Sequence, residues 1–213
     1  MRKISIAFII LFLCSTFIIV NLFAQEPVAR QIDVVKVMNE IKNPAPDPEF
    51  IIKLWIKPEK TTYKVDDEIV FYFNSTKDCY LTLIDVASSG KVHILFPNEH
   101  QKDNKVKAGQ EYCVPVEGAK FVYKVAPPAG VDVVKAIATI NYVAIVTPDK
   151  ITPTTSFDQY NGDVEALKKD IELSVIIPPQ PDPKKWTEIQ KEIKIEEKEE
   201  VEKKEEKSET KEK

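Results

Sequence analysis

The apolar residues that follow residue 50 recur at every second position over several stretches of the chain. Residues 52–57 and 69–73 show this spacing most clearly. Successive side chains of a β-strand point to opposite faces of a sheet, whereas a helix repeats every 3.6 residues. The spacing therefore predicts strands with one buried face rather than amphipathic helices.

Further segments carry the strand pattern, at residues 79–86, 92–96, 112–116, 121–126 and 131–145. A last strand is predicted over residues 171–177, and Asp163 is expected to cap a short helix that ends at Lys169. Gly90 supplies the positive φ for a hairpin between two of the strands. Seven or eight short strands with one minor helix favour an antiparallel β-sandwich over a βαβ fold.

The N-terminal segment has the features of an export signal. Arg2 and Lys3 precede an apolar stretch that reaches Val20, and Ala24 offers a small residue before a cleavage point. The stretch also reaches the length of about 17 residues that an uncleaved membrane anchor needs. Both alternatives place the remaining chain outside the cytoplasm: in the periplasm, secreted, or held at the membrane through residues 1–24 alone.

Composition divides the rest of the chain into three segments. Residues 25–49 are predicted to form a linker, with a short helix before prolines that prevent helix formation in residues 44–48. Residues 50–183 are predicted to form the sandwich domain. Residues 184–213 form a charged tail, with 8 Lys and 10 Glu in its last 23 residues. Trp186, Ile189 and Ile193 share one helical face, so we expect a helix that frays into disorder.

The charge pattern and the missing motifs argue against several functions. The 30 basic and 34 acidic residues are interleaved, whereas nucleic-acid binders concentrate positive charge on one face. The sequence has no glycine-rich phosphate loop, no Gly-x-Ser-x-Gly elbow and no His-Glu-x-x-His pair. We therefore expect no nucleic-acid partner, no metal, no cofactor and no enzyme activity.

The two histidines are the main candidates for a general base. His93 lies in a predicted strand and is expected to be half-exposed there. His100 lies in a polar loop, where it could join carboxylates in a metal site or activate Cys113 as a nucleophile. One imidazole establishes neither, and a buried acid–base cluster around either histidine would contradict the non-catalytic interpretation.

Cys79 and Cys113 are the two cysteines that remain after the leader. Outside the cytoplasm such a pair can form a disulfide, which would stabilise a loop of this length by about 3–4 kcal/mol. The alternative is two separate packed thiols.

A series of short motifs connects residues 50–145 with a known family. The motifs include Tyr63-Lys64-Val65, Leu95-Phe96-Pro97-Asn98, Asp103-Asn104, Ala108-Gly109 and Val114-Pro115. In their order and spacing they resemble the bacterial family called domain of unknown function 4384. The resemblance implies an immunoglobulin-like sandwich in an exported protein, and it implies no catalytic residues.

Polar residues of the long loop at residues 97–110 are one group of candidate binding residues. Asn98, Asp103 and Asn104 either stabilise turns through side-chain hydrogen bonds or contact a small molecule or glycan. The physical properties of these residue types suit loop architecture, and loops of this length also carry function.

Aromatic residues on outward strand positions are the second group. Trp55, Tyr72 and Tyr80 either anchor a protein interface or lie under another segment of the chain. The favoured function is a non-catalytic module that binds another protein of the bacterial envelope or surface, with the tail as a tether or contact arm. A small-molecule or glycan-binding module that uses residues 98–110 is the alternative.

Overall fold

The computed structural model describes residues 33–155, 157–176 and 182–198. Its helices and strands are α1 (Val34–Glu40), β1 (Ile52–Lys57), β2 (Tyr63–Lys64), β3 (Glu68–Ser75), β4 (Cys79–Val86), β5 (Val92–Phe96), β6 (Lys105–Val106), β7 (Tyr112–Val114), β8 (Tyr123–Lys124), β9 (Gly130–Thr139), β10 (Ile151–Thr152), β11 (Asp158–Tyr160), α2 (Val164–Val175) and β12 (Trp186–Glu196). The predicted export signal and the tail beyond residue 198 lie outside the described residues. Within the described part, no helix is long and apolar enough to cross a membrane.

The strands form two sheets. The small sheet has the order β1-β3-β7, and β8 also pairs with β3. The large sheet has the order β10-β11-β5-β4-β9-β12-β2, and β6 also pairs with β4. All strand pairs are antiparallel except β2 with β12. The prediction of a mostly β, mostly antiparallel protein is confirmed.

One hydrophobic cluster contains the inward side chains of both sheets. Leu54 and Phe71 come from the small sheet, and Leu83 and Ala136 come from the large sheet. These residues occupy alternate strand positions, as the period-two spacing predicted. Because Ala136 is small and completely buried, the opposing layer packs closely against β9.

A second cluster covers the other face of the large sheet with helices. Met38 of α1 and Leu167 of α2 pack in this cluster with Ile84 and Ile137 of the sheet. The short helix expected in the N-terminal linker is therefore present as α1, and it is packed rather than free. Its N-cap is Asp33, whose Oδ1 accepts a hydrogen bond from the Lys36 amide at 3.0 Å.

Lys135 of β9 is buried in the helix-covered face. Its Nζ donates to the Ile41 carbonyl and to Glu188 Oε2, both at 2.7 Å. Burial lowers the pKa of Lys135, while the Glu188 carboxylate opposes this effect. The ammonium therefore joins the end of α1, β9 and β12 at one point.

The strand predicted over residues 171–177 is wrong, because residues up to Val175 belong to α2. Asp163 caps this helix as predicted, with Oδ1 accepting from the Ala166 amide at 2.8 Å. Leu167, Ile171 and Val175 are buried at a spacing of four residues, which is one face of a helix. The period-two interpretation of Ile171 and Val175 overlooked that the same positions also fit a helix.

The helix predicted at the start of the charged tail is also wrong. Residues Trp186–Glu196 form β12, which pairs with β9 over ten successive positions. Trp186, Ile193 and Ile195 are buried, although Lys and Glu occupy several of the positions between them. Helix propensity of Lys and Glu is a weak preference, and here pairing with a central strand overrides it.

Candidate functional site

A segment between β7 and β8 leaves the small sheet and returns to it. β3 pairs with β7 over residues 71–73 and with β8 over residues 68–69. Residues 115–122 connect these two strands, so both ends of the segment are fastened to β3. We call residues 115–122 the strap.

A groove of about 770 Å³ lies between the strap and the outer face of the small sheet. Val70, Tyr72 and Cys113 line it from the sheet, and Val116 and Val122 line it from the strap. Val116 is 39% exposed and Val122 is 50% exposed, so apolar side chains of the strap face solvent. Exposed apolar surface of this kind is typical of a contact surface.

Two of the predicted aromatic residues lie together beside this groove. Trp55 and Tyr72 are cross-strand partners, and their rings stack with centroids 5.8 Å apart. Lys57 Nζ lies 4.3 Å from the centroid of the Tyr72 ring. Both residues are half-buried, so part of each aromatic side chain stays accessible beside the groove.

The third predicted aromatic, Tyr80, is placed elsewhere. It belongs to β4 of the large sheet, and its ring meets the edge of Tyr142 at a centroid distance of 5.5 Å. Lys105 Nζ lies 5.8 Å from the Tyr80 ring. The structure therefore separates Tyr80 from the Trp55–Tyr72 pair.

The predicted loop residues are engaged with the loop itself. Asn98 is buried, its Nδ2 donates to the Leu95 carbonyl at 2.7 Å, and its Oδ1 accepts from the amides of His100 and Gln101. Asp103 Oδ1 accepts from the Lys105 amide at 3.0 Å. These contacts support the loop-architecture interpretation of both side chains.

Asn104, the third candidate binding residue of the loop, makes a hydrogen bond through its backbone. The Asn104 carbonyl accepts a hydrogen bond from the Leu81 amide at 2.9 Å. A shallow groove of about 450 Å³ adjoins the start of the loop, lined by Pro97, Glu99, Lys102 and Asp158 among others. Binding by Asn98, Asp103 and Asn104 thus stays a prediction.

A buried acid–base cluster lies where β4, β5 and β9 meet β8. Asp85 is 1% exposed, and its Oδ2 accepts from Tyr123 Oη at 2.9 Å and lies 3.4 Å from His93 Nδ1. Asp132 is 4% exposed, and its Oδ1 accepts from the Ser88 amide at 2.6 Å. Gly130 allows this approach, because a Cβ there would lie 2.8 Å from the Ser88 Cβ.

The two carboxylates of this cluster share one electrostatic environment. Burial and, after it, the charge of Asp85 raise the pKa of Asp132 to about 7, against the lowering effects of the Ser88 hydrogen bonds and His93. Burial also raises the pKa of Tyr123 well above its usual range. Asp85 Oδ1 is buried and lacks a hydrogen-bond partner among the described residues.

The sequence pattern does not predict this cluster, which is of the kind that would contradict a non-catalytic interpretation. His93 is half-exposed in β5 as predicted, but its contact with Asp85 was not expected. Among the described residues, no serine, threonine or cysteine side chain donates a hydrogen bond to His93. No three His, Cys, Asp or Glu side chains there are placed to hold a metal ion.

The two cysteines lie in different sheets. Cys79 is buried in β4 and Cys113 is half-buried in β7, and both are free thiols. Burial raises the pKa of Cys79, which suits a packed thiol rather than a nucleophile. The ring of His100 packs on Phe121 with a centroid distance of 4.6 Å, and its Nε2 lies 3.3 Å from the Thr155 carbonyl. These contacts differ from the pairing with Cys113 that the sequence left open as an alternative.

The comparisons with known proteins identify one family. No curated protein and no solved structure matches the chain. The family model described as "Domain of unknown function (DUF4384)" matches residues 62–141. This range contains β2 to β9, and with them the strap and the buried acid–base cluster. The match confirms the resemblance that the motifs predicted, and residues 62–141 are similar to the family of domain of unknown function 4384.

Proposed function

We propose that this protein is a non-catalytic, exported module of the bacterial cell envelope that binds another envelope or surface protein. In this proposal the domain is an immunoglobulin-like sandwich, supported by the single core shared between its two sheets. The binding surface is the groove under the strap. The observation that carries the proposal is the exposed apolar strap beside the stacked Trp55–Tyr72 pair.

The charges around the groove define the kind of segment that fits it. Glu68, Glu111 and Glu117 line the groove together with one lysine, Lys57. Glu68 also faces Lys124 at 3.7 Å, but both side chains are more than half exposed, so this pair contributes little. An extended partner segment with apolar side chains and a basic residue would be complementary to this acidic, apolar groove.

The acid–base cluster supports a structural role better than a catalytic one. Its acceptor Asp85 Oδ2 is engaged by Tyr123 and His93, and Asp132 is engaged by the backbone of Ser88. Neither carboxylate lines the groove under the strap. A catalytic base requires access to a substrate proton at hydrogen-bond distance, and burial of both carboxylates opposes such access.

A small-molecule or glycan site in the loop of residues 98–110 is the competing proposal. It has less support, because the side chains of Asn98 and Asp103 already bind backbone groups of the loop and of the end of β5. Displacing those bonds would cost about 1–3 kcal/mol for each buried group left unsatisfied.

Two synthetic peptides that differ only in charge test the proposal on the purified protein. One alternates valine with lysine and the other alternates valine with glutamate. Trp55 is half-exposed beside the groove, whereas Trp186 is completely buried, so a fluorescence change on titration reports on the groove. We expect the valine–lysine peptide to bind, with affinity that falls as salt rises.

Matched variants assign that signal to the groove. Tyr72→Ala removes the stacked ring and is expected to abolish binding. Tyr142→Ala removes a ring that is 65% exposed in the segment after β9, and it is expected to leave binding unchanged. Equal binding of both peptides, or equal loss in both variants, would refute the proposed surface.

A further inference from the structure

The floor of the groove under the strap is the face of a strand that is paired on both sides. β3 pairs with β1 on one side and with β7 and β8 on the other. Its backbone groups therefore lie in the plane of the sheet, whereas side chains such as Val70 and Tyr72 line the groove. A partner strand that joins a sheet needs a row of unpaired backbone groups, and β3 does not supply one.

The walls of the groove are also poor templates for strand addition. The strap folds into a turn, in which the Ala119 amide donates to the Val116 carbonyl at 2.9 Å. At the edge of β7, the Cys113 carbonyl accepts a hydrogen bond from Gln101 Nε2 at 3.3 Å. Pro115, which follows β7 and lines the groove, has no amide donor. These contacts favour binding through side-chain packing over binding through a backbone ladder.

A row of three residues crosses the outer face of the small sheet at the groove. Trp55, Tyr72 and Cys113 are successive cross-strand partners on β1, β3 and β7, and the planes of the two rings meet at an angle of 16°. Neighbouring strands lie about 4.8 Å apart, so this cross-strand row spans about 10 Å. A polyproline II helix rises about 3.1 Å per residue with three residues per turn, so it repeats after about 9 Å. One turn of such a helix, laid across the strands, matches the length of the row.

We propose that the groove binds a proline-rich segment with basic residues in the polyproline II conformation, and that its proline rings pack on Trp55 and Tyr72. Such a helix has no internal hydrogen bonds and proline lacks an amide donor, so it binds without a backbone ladder. Aromatic-lined grooves recognise proline-rich segments in this way, and the preformed conformation lowers the entropy lost on binding. The basic residues face Glu68, Glu111 and Glu117 of the groove. The inference names the partner class of the proposed binding surface and so rests on the proposed function.

Isothermal titration calorimetry with three peptides of equal length and equal positive charge tests the conformation of the partner. The first alternates proline with lysine, the second alternates valine with lysine, and the third is the mirror image of the first, built from D-amino acids. We expect the L-proline peptide to bind at least about tenfold more tightly than the valine peptide, because its bound conformation is preformed. The mirror-image peptide forms a helix of the opposite hand and should bind at least about tenfold more weakly than the L-proline peptide.

Two substitutions of Trp55 show whether the cross-strand row sets this preference. Trp55→Ala removes the stacked ring and should abolish most of the preference for proline over valine, whereas Trp55→Phe keeps a ring and should retain the preference. Trp55 is half-buried on the outer face, so we expect both variants to fold, and urea denaturation checks this. If Trp55→Ala does not fold, the comparison of the two mirror-image peptides on the wild type decides alone.

Failure of this inference is distinguishable from failure of the proposed function. Equal affinity for the L-proline and mirror-image peptides would overturn the inference, because net charge alone would then explain binding. Tighter binding of the valine peptide would also overturn it and would indicate strand addition, while the proposed binding surface would stand. A preference for proline that survives in folded Trp55→Ala would contradict packing on the cross-strand row. Binding of none of the three peptides would refute the proposed surface itself, and this inference with it.

Discussion

Replacing Asp132 by asparagine should change how the stability of the protein depends on pH. The pKa of Asp132 is about 7 in the folded chain against an ordinary value of 3.8. Between these values the folded chain holds a proton that the unfolded chain has released, so the free energy of unfolding falls as pH rises. One pKa unit corresponds to about 1.4 kcal/mol, so a shift of about three units corresponds to about 4 kcal/mol.

Urea denaturation of both proteins at several pH values measures this contribution. Subtracting the asparagine variant removes the titration of all groups outside the cluster. The wild type should match the variant near about pH 4 and fall below it by about 4 kcal/mol at about pH 8, with most of the loss complete by pH 7. Asparagine can still accept from the Ser88 amide, so packing is preserved. Parallel stability profiles of the two proteins would refute a proton held by Asp132.

Three other changes test the packing. Trp186→Ala should destabilise the protein by about 3–5 kcal/mol in urea denaturation, because the indole is completely buried; an effect near zero would mean that residues 186–196 are a dispensable tail. Glu188→Gln should cost about 3 kcal/mol because it leaves the Lys135 ammonium buried without its carboxylate, and adding Lys135→Met should recover much of that loss. Asn98→Ala should lower the free energy of unfolding by about 1–3 kcal/mol. Peptide binding by the folded fraction, followed by Trp55 fluorescence, should stay unchanged. Loss of that binding would favour the loop as the ligand site.

The strands that could be predicted from the sequence are those whose spacing of apolar residues fits a strand and does not fit a helix. β1 and β3 carry short, clean alternation between turn residues, and burial follows the alternation closely. β4 differs, because almost all of its residues are buried. The helices cover its second face, and alternation in one strand cannot show that another element packs on the far side.

The two errors in secondary structure have a common physical cause. The residues of α2 fit both periods over a short window, and those of β12 have side chains that favour helices locally. In both segments the deciding interaction is a distant partner: the large sheet for α2 and β9 for β12. Such partners lie tens of residues away, so local pattern could not decide between the alternatives.

The candidate site was predictable only in part. Trp55 and Tyr72 were found because their strands alternate, and pairing of β1 with β3 makes them neighbours. Asp85 and Asp132 were missed, because a polar residue in a strand ordinarily faces solvent. The position of Tyr123 opposite these carboxylates depends on how the two sheets stack, which no single strand encodes.

Site-specific photo-cross-linking tests the central claim that the groove is the binding surface. A photoreactive amino acid is placed at Val122 in the strap or at Tyr142 in the segment after β9, both exposed. Each protein is irradiated with the bacterial envelope fractions in which the proposed function places its partner. The account predicts a discrete cross-linked protein from position 122 that disappears when Tyr72→Ala is added and is absent from position 142. The same products from both positions, or products at position 122 that persist with Tyr72→Ala, would contradict it.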